Sequence, residues 1–154
     1  MKKLVVLTFA FAAFISLSSK AQDYKTSVGV DIDFGDGTTL FGPSIKHFLS
    51  DNAAIKGDVL FGSHYTMIQA AILYQKPFEG SSGLNWYLGG GPSIGLYSGG
   101  SDFFLRPMAG LEYKIVDAPV ALSFDWRPMI YLGSGGDRFT AARFGIGFKY
   151  TLRN

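Results

Sequence analysis

Two histidines, a run of acids and a string of alternating charges are the residues of this chain that could do chemistry. His64 follows Ser63. A serine hydroxyl attacks only when a base takes its proton and a third group orients that base. No carboxylate sits beside Ser63-His64-Tyr65, so the pair reads as an ordinary loop sequence. His47 lies close to Ser50-Asp51-Asn52 and reads as an interfacial ring. Asp31-x-Asp33-x-x-Asp36-Gly37 offers hard oxygen ligands of the kind calcium takes. Its third acid and its glycine come one place late for an EF-hand, and no glutamate closes the loop. Asp31 and Asp33 are therefore expected to pair with lysines on one face of a strand. Asp33-Phe34-Gly35 has no other kinase element around it. Gly89-Gly90-Gly91 precedes no helix, so it thins a strand beside Tyr87 rather than cradling phosphate. Asp125-Trp126-Arg127-Pro128 is the most distinctive string: two residues apart on a strand, Asp125 and Arg127 share a face and can form an ion pair. The chain has no cysteine, which removes disulfides, thiolate metal sites and a cysteine nucleophile. No metal and no cofactor are expected.

The elements that must position these residues are strands. From Tyr24 the chain alternates: Tyr24, Thr26, Val28, Val30, Ile32 and Phe34 point one way, and Lys25, Ser27, Gly29, Asp31 and Asp33 the other. The same period recurs seven more times. Phe41 to Leu49 opposes Gly42, Ser44 and Lys46, and Ile55 to Phe61 opposes Lys56, Asp58 and Leu60. Ile68 to Tyr74 opposes Gln69, Ala71 and Gln75, and Leu84 to Leu96 opposes Asn85, Tyr87, Gly89, Gly91, Ser93 and Gly95. Leu105 to Tyr113 opposes Arg106, Met108, Gly110 and Glu112. Val120 to Ile130, with Pro128 on the greasy side, opposes Ser123, Asp125 and Arg127; Phe144 to Leu152 opposes Arg143, Gly145, Gly147 and Lys149. Turn signals such as Gly35-Asp36-Gly37, Ser50-Asp51-Asn52 and Asp117-Ala118-Pro119 separate the segments. They fall in two alternating sets, as the two ends of a meander require. Prolines 43, 92, 107 and 128 are expected to mark bulges or strand ends.

Ahead of the strands stands an address. Met1-Lys2-Lys3 is followed by the uncharged stretch Leu4 to Leu17 and by Ser19-Lys20-Ala21. A positive start, a short apolar run and small residues at the cleavage position describe a secretory signal peptide. As a helix the run spans about 21 Å, short of a roughly 30 Å hydrocarbon core. Residues 1–21 are thus expected to be removed after Ala21, leaving residues 22–154 as one exported domain. Among the 154 residues, hydrophobic types make up 47% and charged types 17%, so the chain is no disordered polyelectrolyte. The net charge is +2, but Lys2, Lys3 and Lys20 lie in the leader. Without them acids outnumber bases by one, which leaves no basic patch and no case for a nucleic-acid partner.

Which face is the core follows from charge and bulk. A soluble, lipocalin-like barrel puts its apolar face inside; a membrane barrel turns it out and fills a narrow interior with small and polar side chains. The non-greasy face carries Asp31, Asp33, Asp58, Glu112 and Asp125 with Lys46, Lys56, Arg106, Arg127, Arg143 and Lys149, among many glycines. Phe34, Phe61, Trp86, Trp126, Phe124, Phe144 and Phe148 are too bulky together for an eight-stranded interior. The reading is an all-β, eight-stranded antiparallel up-and-down transmembrane β-barrel. Its acids and bases pair in a dry lumen as a charge network that plugs it. Tyr24, His47, Tyr74, Tyr113 and Tyr150 are expected to form an interfacial girdle.

The last strand, Arg143-Phe144-Gly145-Ile146-Gly147-Phe148-Lys149-Tyr150, resembles the C-terminal insertion signal of bacterial outer-membrane barrels, with Gly145, Phe148 and Tyr150 at its marked positions. Four residues follow Tyr150 where such a signal often ends. Three further stretches are similar to small eight-stranded outer-membrane barrels of the OmpA/OmpX type and opacity-like proteins, closest to those of Bacteroidota: residues 42–52, 109–114 and 118–128. The resemblance covers the whole predicted mature chain. It implies the outer membrane of a Gram-negative cell, contact with outer-membrane lipid and lipopolysaccharide, delivery by the barrel-assembly machinery, and a monomer. It implies a non-enzymatic envelope role, structural or surface-interacting. The alternatives are a porin-like small-solute channel, a lipid A-modifying enzyme built on His64, or a soluble binding barrel.

Overall fold

The computed structural model describes residues 24–136 and 138–153, so the expected signal peptide lies outside the described residues. The strands are β1 (Thr26–Gly35), β2 (Thr38–Phe48), β3 (Ala53–Phe61), β4 (Tyr65–Pro77) and β5 (Leu84–Tyr97), then β6 (Gly100–Lys114), β7 (Val120–Trp126), β8 (Met129–Tyr131), β9 (Phe139–Thr140) and β10 (Phe144–Leu152). Each pairs antiparallel with its neighbour, and β1 pairs with β10 from Thr26↔Leu152 to Phe34↔Phe144, which closes the sheet. β7 and β8 are two parts of one barrel strand, as are β9 and β10, so the barrel is eight-stranded. Following the register once round returns to β1 displaced by about ten residues, the stagger that a closed, tilted eight-stranded barrel needs.

The sequence dictates this closure locally. At the β1–β2 turn Asp36 has φ 48° and Gly37 φ 74°, the pair of positive angles that an Asp-Gly hairpin turn provides. The alternation then sets which side faces where. Val30, Ile32, Phe41, Ile45, Leu111, Phe124, Phe148 and Tyr150 are exposed on the outside. Ser27, Asp31, Asp33, Lys56, Asp58, Arg106, Asp125 and Arg127 are buried inside.

Three expectations are corrected. The prolines mark neither strand ends nor register shifts in β2 and β5. Pairing of β2 with β3 skips from Phe41↔Phe61 to Ser44↔Asp58, and that of β4 with β5 from Gln69↔Ser93 to Ile72↔Gly90, with the register unchanged. Pro43 and Pro92 simply lack the N–H that these rungs need. The seventh barrel strand breaks at Arg127-Pro128, where β6–β7 pairing stops at Ala109↔Trp126 and β6–β8 pairing resumes at Leu105↔Ile130. Pro128 is buried rather than exposed. Opposite it, the last barrel strand carries one extra residue between Thr140 and Phe144, a bulge. Finally, Tyr24 lies inside the barrel, not in an outer girdle, while Tyr113 and Tyr150 are exposed as expected.

Candidate functional site: the lumen charge network

The eleven charged residues expected on the inner face, from Asp31 to Lys149, are all buried within the barrel, and Lys114 is buried with them. They fall into three groups. Nearest the chain termini, Lys46 pairs with Glu112 and donates to Gln75 Oε1 at 3.0 Å. Glu112 Oε1 also accepts from Gln75 Nε2 at 2.8 Å and from the Tyr24 hydroxyl at 2.5 Å. The Lys46 ammonium lies 5.1 Å from the Phe48 ring centre and 5.3 Å from that of Tyr24. In the middle, Asp31 takes three cations from three strands. Lys56 and Lys149 each donate to it at 2.5 Å and Arg127 at 3.1 Å. Lys56 also donates to Asp58 at 2.9 Å, and Arg127 holds Asp125 through both Nε and Nη2. The Tyr87 hydroxyl donates to Asp125 at 2.5 Å. Farthest from the termini, Asp33 pairs with Arg106 at 2.6 Å and with Arg143. Arg106 also donates to Gln69 Oε1 at 2.8 Å and to the Arg127 carbonyl at 3.0 Å, which joins this group to the middle one.

Two aspartates on β1 therefore hold cations from β3, β6, β10 and the β7–β8 junction. A carboxylate removed from water needs that many partners, because an unpaired charge in such a place is costly. Room for the long side chains comes from glycines on the same face. A Cβ on Gly145 would run into the Arg127 guanidinium, and one on Gly147 into Ser123, Lys149 and Asp31. A Cβ on Gly110 would lie 2.5 Å from Asp125 Cβ and 2.7 Å from the Tyr87 ring.

Two apolar clusters pack against the network. Leu40, Leu60 and Met67, with Tyr65 and Met129 against them, close the hairpin end. Tyr24, Phe48, Ala54, Ala71, Leu73, Tyr87 and Met108 pack around the group nearest the termini, with Gln75 on β4 lying past Leu73 and Glu112 on β6 past Met108. Sequence reasoning placed the charges and put Leu60, Ala71, Tyr87 and Met108 on the inner face, but did not place Leu40, Phe48, Met67 and Leu73 there. The signal was present: Leu40, Phe48, Leu73 and Met67 share the inward parity of their strands, and apolar identity argued the other way. It also missed Tyr24, Gln75, Gln69 and Tyr87 as hydrogen-bonding members of the network.

The other candidates do not converge. Asp36 sits in the β1–β2 turn while Asp31 and Asp33 are held by cations inside, so the three acids share no site. Among the described residues no group of three His, Cys, Asp or Glu side chains could hold a metal ion. His64 is exposed in the β3–β4 turn, and His47 Nδ1 lies 2.8 Å from Thr26 Oγ1. In the last strand Gly145 faces inward, and Phe148 and Tyr150 face outward.

No family model and no characterised protein matches the chain by sequence. Solved structures match its shape. A de novo designed transmembrane β-barrel superposes with a TM-score of 0.64 at 14% identity, over 85% of this chain and 98% of that one. The N-terminal β-barrel domain of Pseudomonas aeruginosa OprF gives 0.61 at 19% identity, over 85% and 100%. Neisserial surface protein A gives 0.52 at 15% identity, over 87% and 100%. At such identities the likeness establishes the fold: a closed, eight-stranded antiparallel β-barrel.

Proposed function

We propose that the chain is exported and spans the outer membrane of a Gram-negative bacterium as a non-enzymatic, monomeric barrel with an envelope-structural or surface-interaction role. One observation carries this reading: the barrel is polar-inside and apolar-outside. Arg106, Arg127, Asp31, Asp33 and Asp125 are at most 1% exposed, whereas Phe41, Phe103, Phe124 and Phe148 are at least half exposed. Water would penalise that outer face, and a bilayer of strand-length thickness favours it. A closed barrel leaves no free edge, so it needs no partner to satisfy its backbone. Its partners are outer-membrane lipid and lipopolysaccharide around the belt. During insertion it engages the barrel-assembly machinery through the strand that carries Gly145, Phe148 and Tyr150.

The paired network, with one apolar cluster over its hairpin end and another packed around its terminal group, supports a sealed interior rather than a solute path. The test is conductance of the refolded barrel in planar bilayers at physiological salt. Silence is expected, and steady openings would establish the channel reading in its place. Substituting His64→Ala is expected to leave the lipid A mass profile of an expressing cell unchanged; a changed profile would establish an enzyme.

A further inference from the structure

Among the described residues, every buried charge but one has an opposite charge beside it. The exception is Lys114, the last residue of β6, which is 9% exposed. Its ammonium donates to the carbonyl oxygens of Ile115 and Ala118, each at 2.7 Å. Those bonds steady the β6–β7 turn, which Ile115 N also closes by donating to the Val120 carbonyl at 2.9 Å. They do not cancel the charge. An ammonium carries three N–H donors, so one is left over. A cation taken out of water without a counter-charge is costly, and nowhere else does this interior leave one so.

Lys114 lines a pocket of about 590 Å³ at the terminal end of the barrel. Arg153, exposed just past β10, lines the same pocket, and so does the buried Thr151. Thr151 N donates to the Pro119 carbonyl at 2.8 Å, which ties the last strand to the turn and holds the elements that carry the two cations together. Asp117 is the one acid of the lining. It is exposed on the turn and pairs with neither cation, so two bases against one acid leave the pocket a net charge of +1. Tyr24, Val116 and Pro119 form apolar wall. The Tyr24 hydroxyl is already committed to Glu112. An ammonium beside a guanidinium fork matches the oxygens of a phosphate or a carboxylate. The volume is that of a small-molecule site, with room for more than a bare oxyanion.

We propose that this pocket binds the oxyanion head of a small molecule, a phosphate or a carboxylate, between Lys114 and Arg153, with the attached group against Tyr24, Val116 and Pro119. On the outer-membrane reading above, this mouth opens toward the periplasm, which sets where the ligand comes from and not whether the site binds. The test is NMR titration of the ¹⁵N-labelled, folded barrel in uncharged maltoside micelles. Inorganic phosphate and acetate are added in separate titrations, with ionic strength held constant by sodium chloride. Saturable shifts are expected at the amides of residues 114–118 and at Thr151. Lys114→Met is expected to weaken binding about tenfold and Arg153→Ala about threefold, and Asp117→Asn to tighten it about twofold. Phosphate binding tighter than acetate assigns the head group to a phosphate, and the reverse order assigns it to a carboxylate. Each variant is first checked for its folded band on an unboiled gel. Arg153 and Asp117 are exposed, so their variants carry the test if Lys114→Met does not fold. Shifts that rise without saturating in both titrations would overturn the proposal. Equal affinity in wild type, Arg153→Ala and Asp117→Asn would overturn it too. None of these results would touch the membrane reading, which fails separately if the barrel folds without detergent.

Discussion

Asp31 is the residue on which most of the interior depends. It accepts from Lys56, Lys149 and Arg127, and all four side chains are buried. Asp31→Asn keeps the volume and removes the charge, leaving three cations with less compensation. A cost of about 3–5 kcal/mol is expected, read as a lowered urea midpoint for the detergent-folded barrel. A loss below about 1 kcal/mol would mean that the pairs contribute as little as surface ones. Lys46 and Glu112 give the complementary test. Lys46→Met strands a buried carboxylate that only Tyr24 and Gln75 still hold. Adding Glu112→Gln removes that charge while keeping an acceptor for Tyr24. The double variant is expected to be more stable than Lys46→Met by about 1–2 kcal/mol, a coupling that a double-mutant cycle measures.

At the scale of the strand, inward glycines and inward charges form one design. Gly145 on β10 faces the Arg127 guanidinium, so Gly145→Ala forces either side chain to move. A loss of about 1–3 kcal/mol is expected, together with slower closure of the β1–β10 seam in refolding. Gly57→Ala is the control: its new methyl meets ordinary contacts on the outside, and stability should change by no more than about 0.5 kcal/mol. Equal effects at the two positions would contradict the packing argument. Alternation made the faces of these strands legible in the sequence, because a period of two sends every second side chain to the same side. The break at Arg127-Pro128 was signalled by Pro128 rather than by alternation, and the bulge before Phe144 on the partner strand was not signalled. Both arise where Pro107 and Pro128 lie across from one another, a pairing that becomes visible only once register is known.

For the whole molecule, closure is the property that matters. The sheet meets itself between β1 and β10, and the ion pairs Arg143–Asp33 and Lys149–Asp31 cross that seam inside the barrel. Fold class was therefore readable from eight alternating segments and the charge inventory. The inward placing of Leu40, Phe48 and Leu73 was not, since they look like belt residues until the parity of their strands is fixed. Tyr24 was misplaced for a related reason: it precedes the first ladder pair, where alternation no longer dictates direction. No pattern of residues marked a specific role in the sequence, because the inner-face charges that could do chemistry are taken up in pairing with one another. The central claim is that this barrel folds with its apolar face against lipid. Semi-native gel electrophoresis of residues 22–154 refolded in detergent, boiled against unboiled, tests it most directly. A mobility shift on boiling, β-type circular dichroism and no fold without detergent are the predicted result. A stable fold in plain buffer with no shift would contradict it.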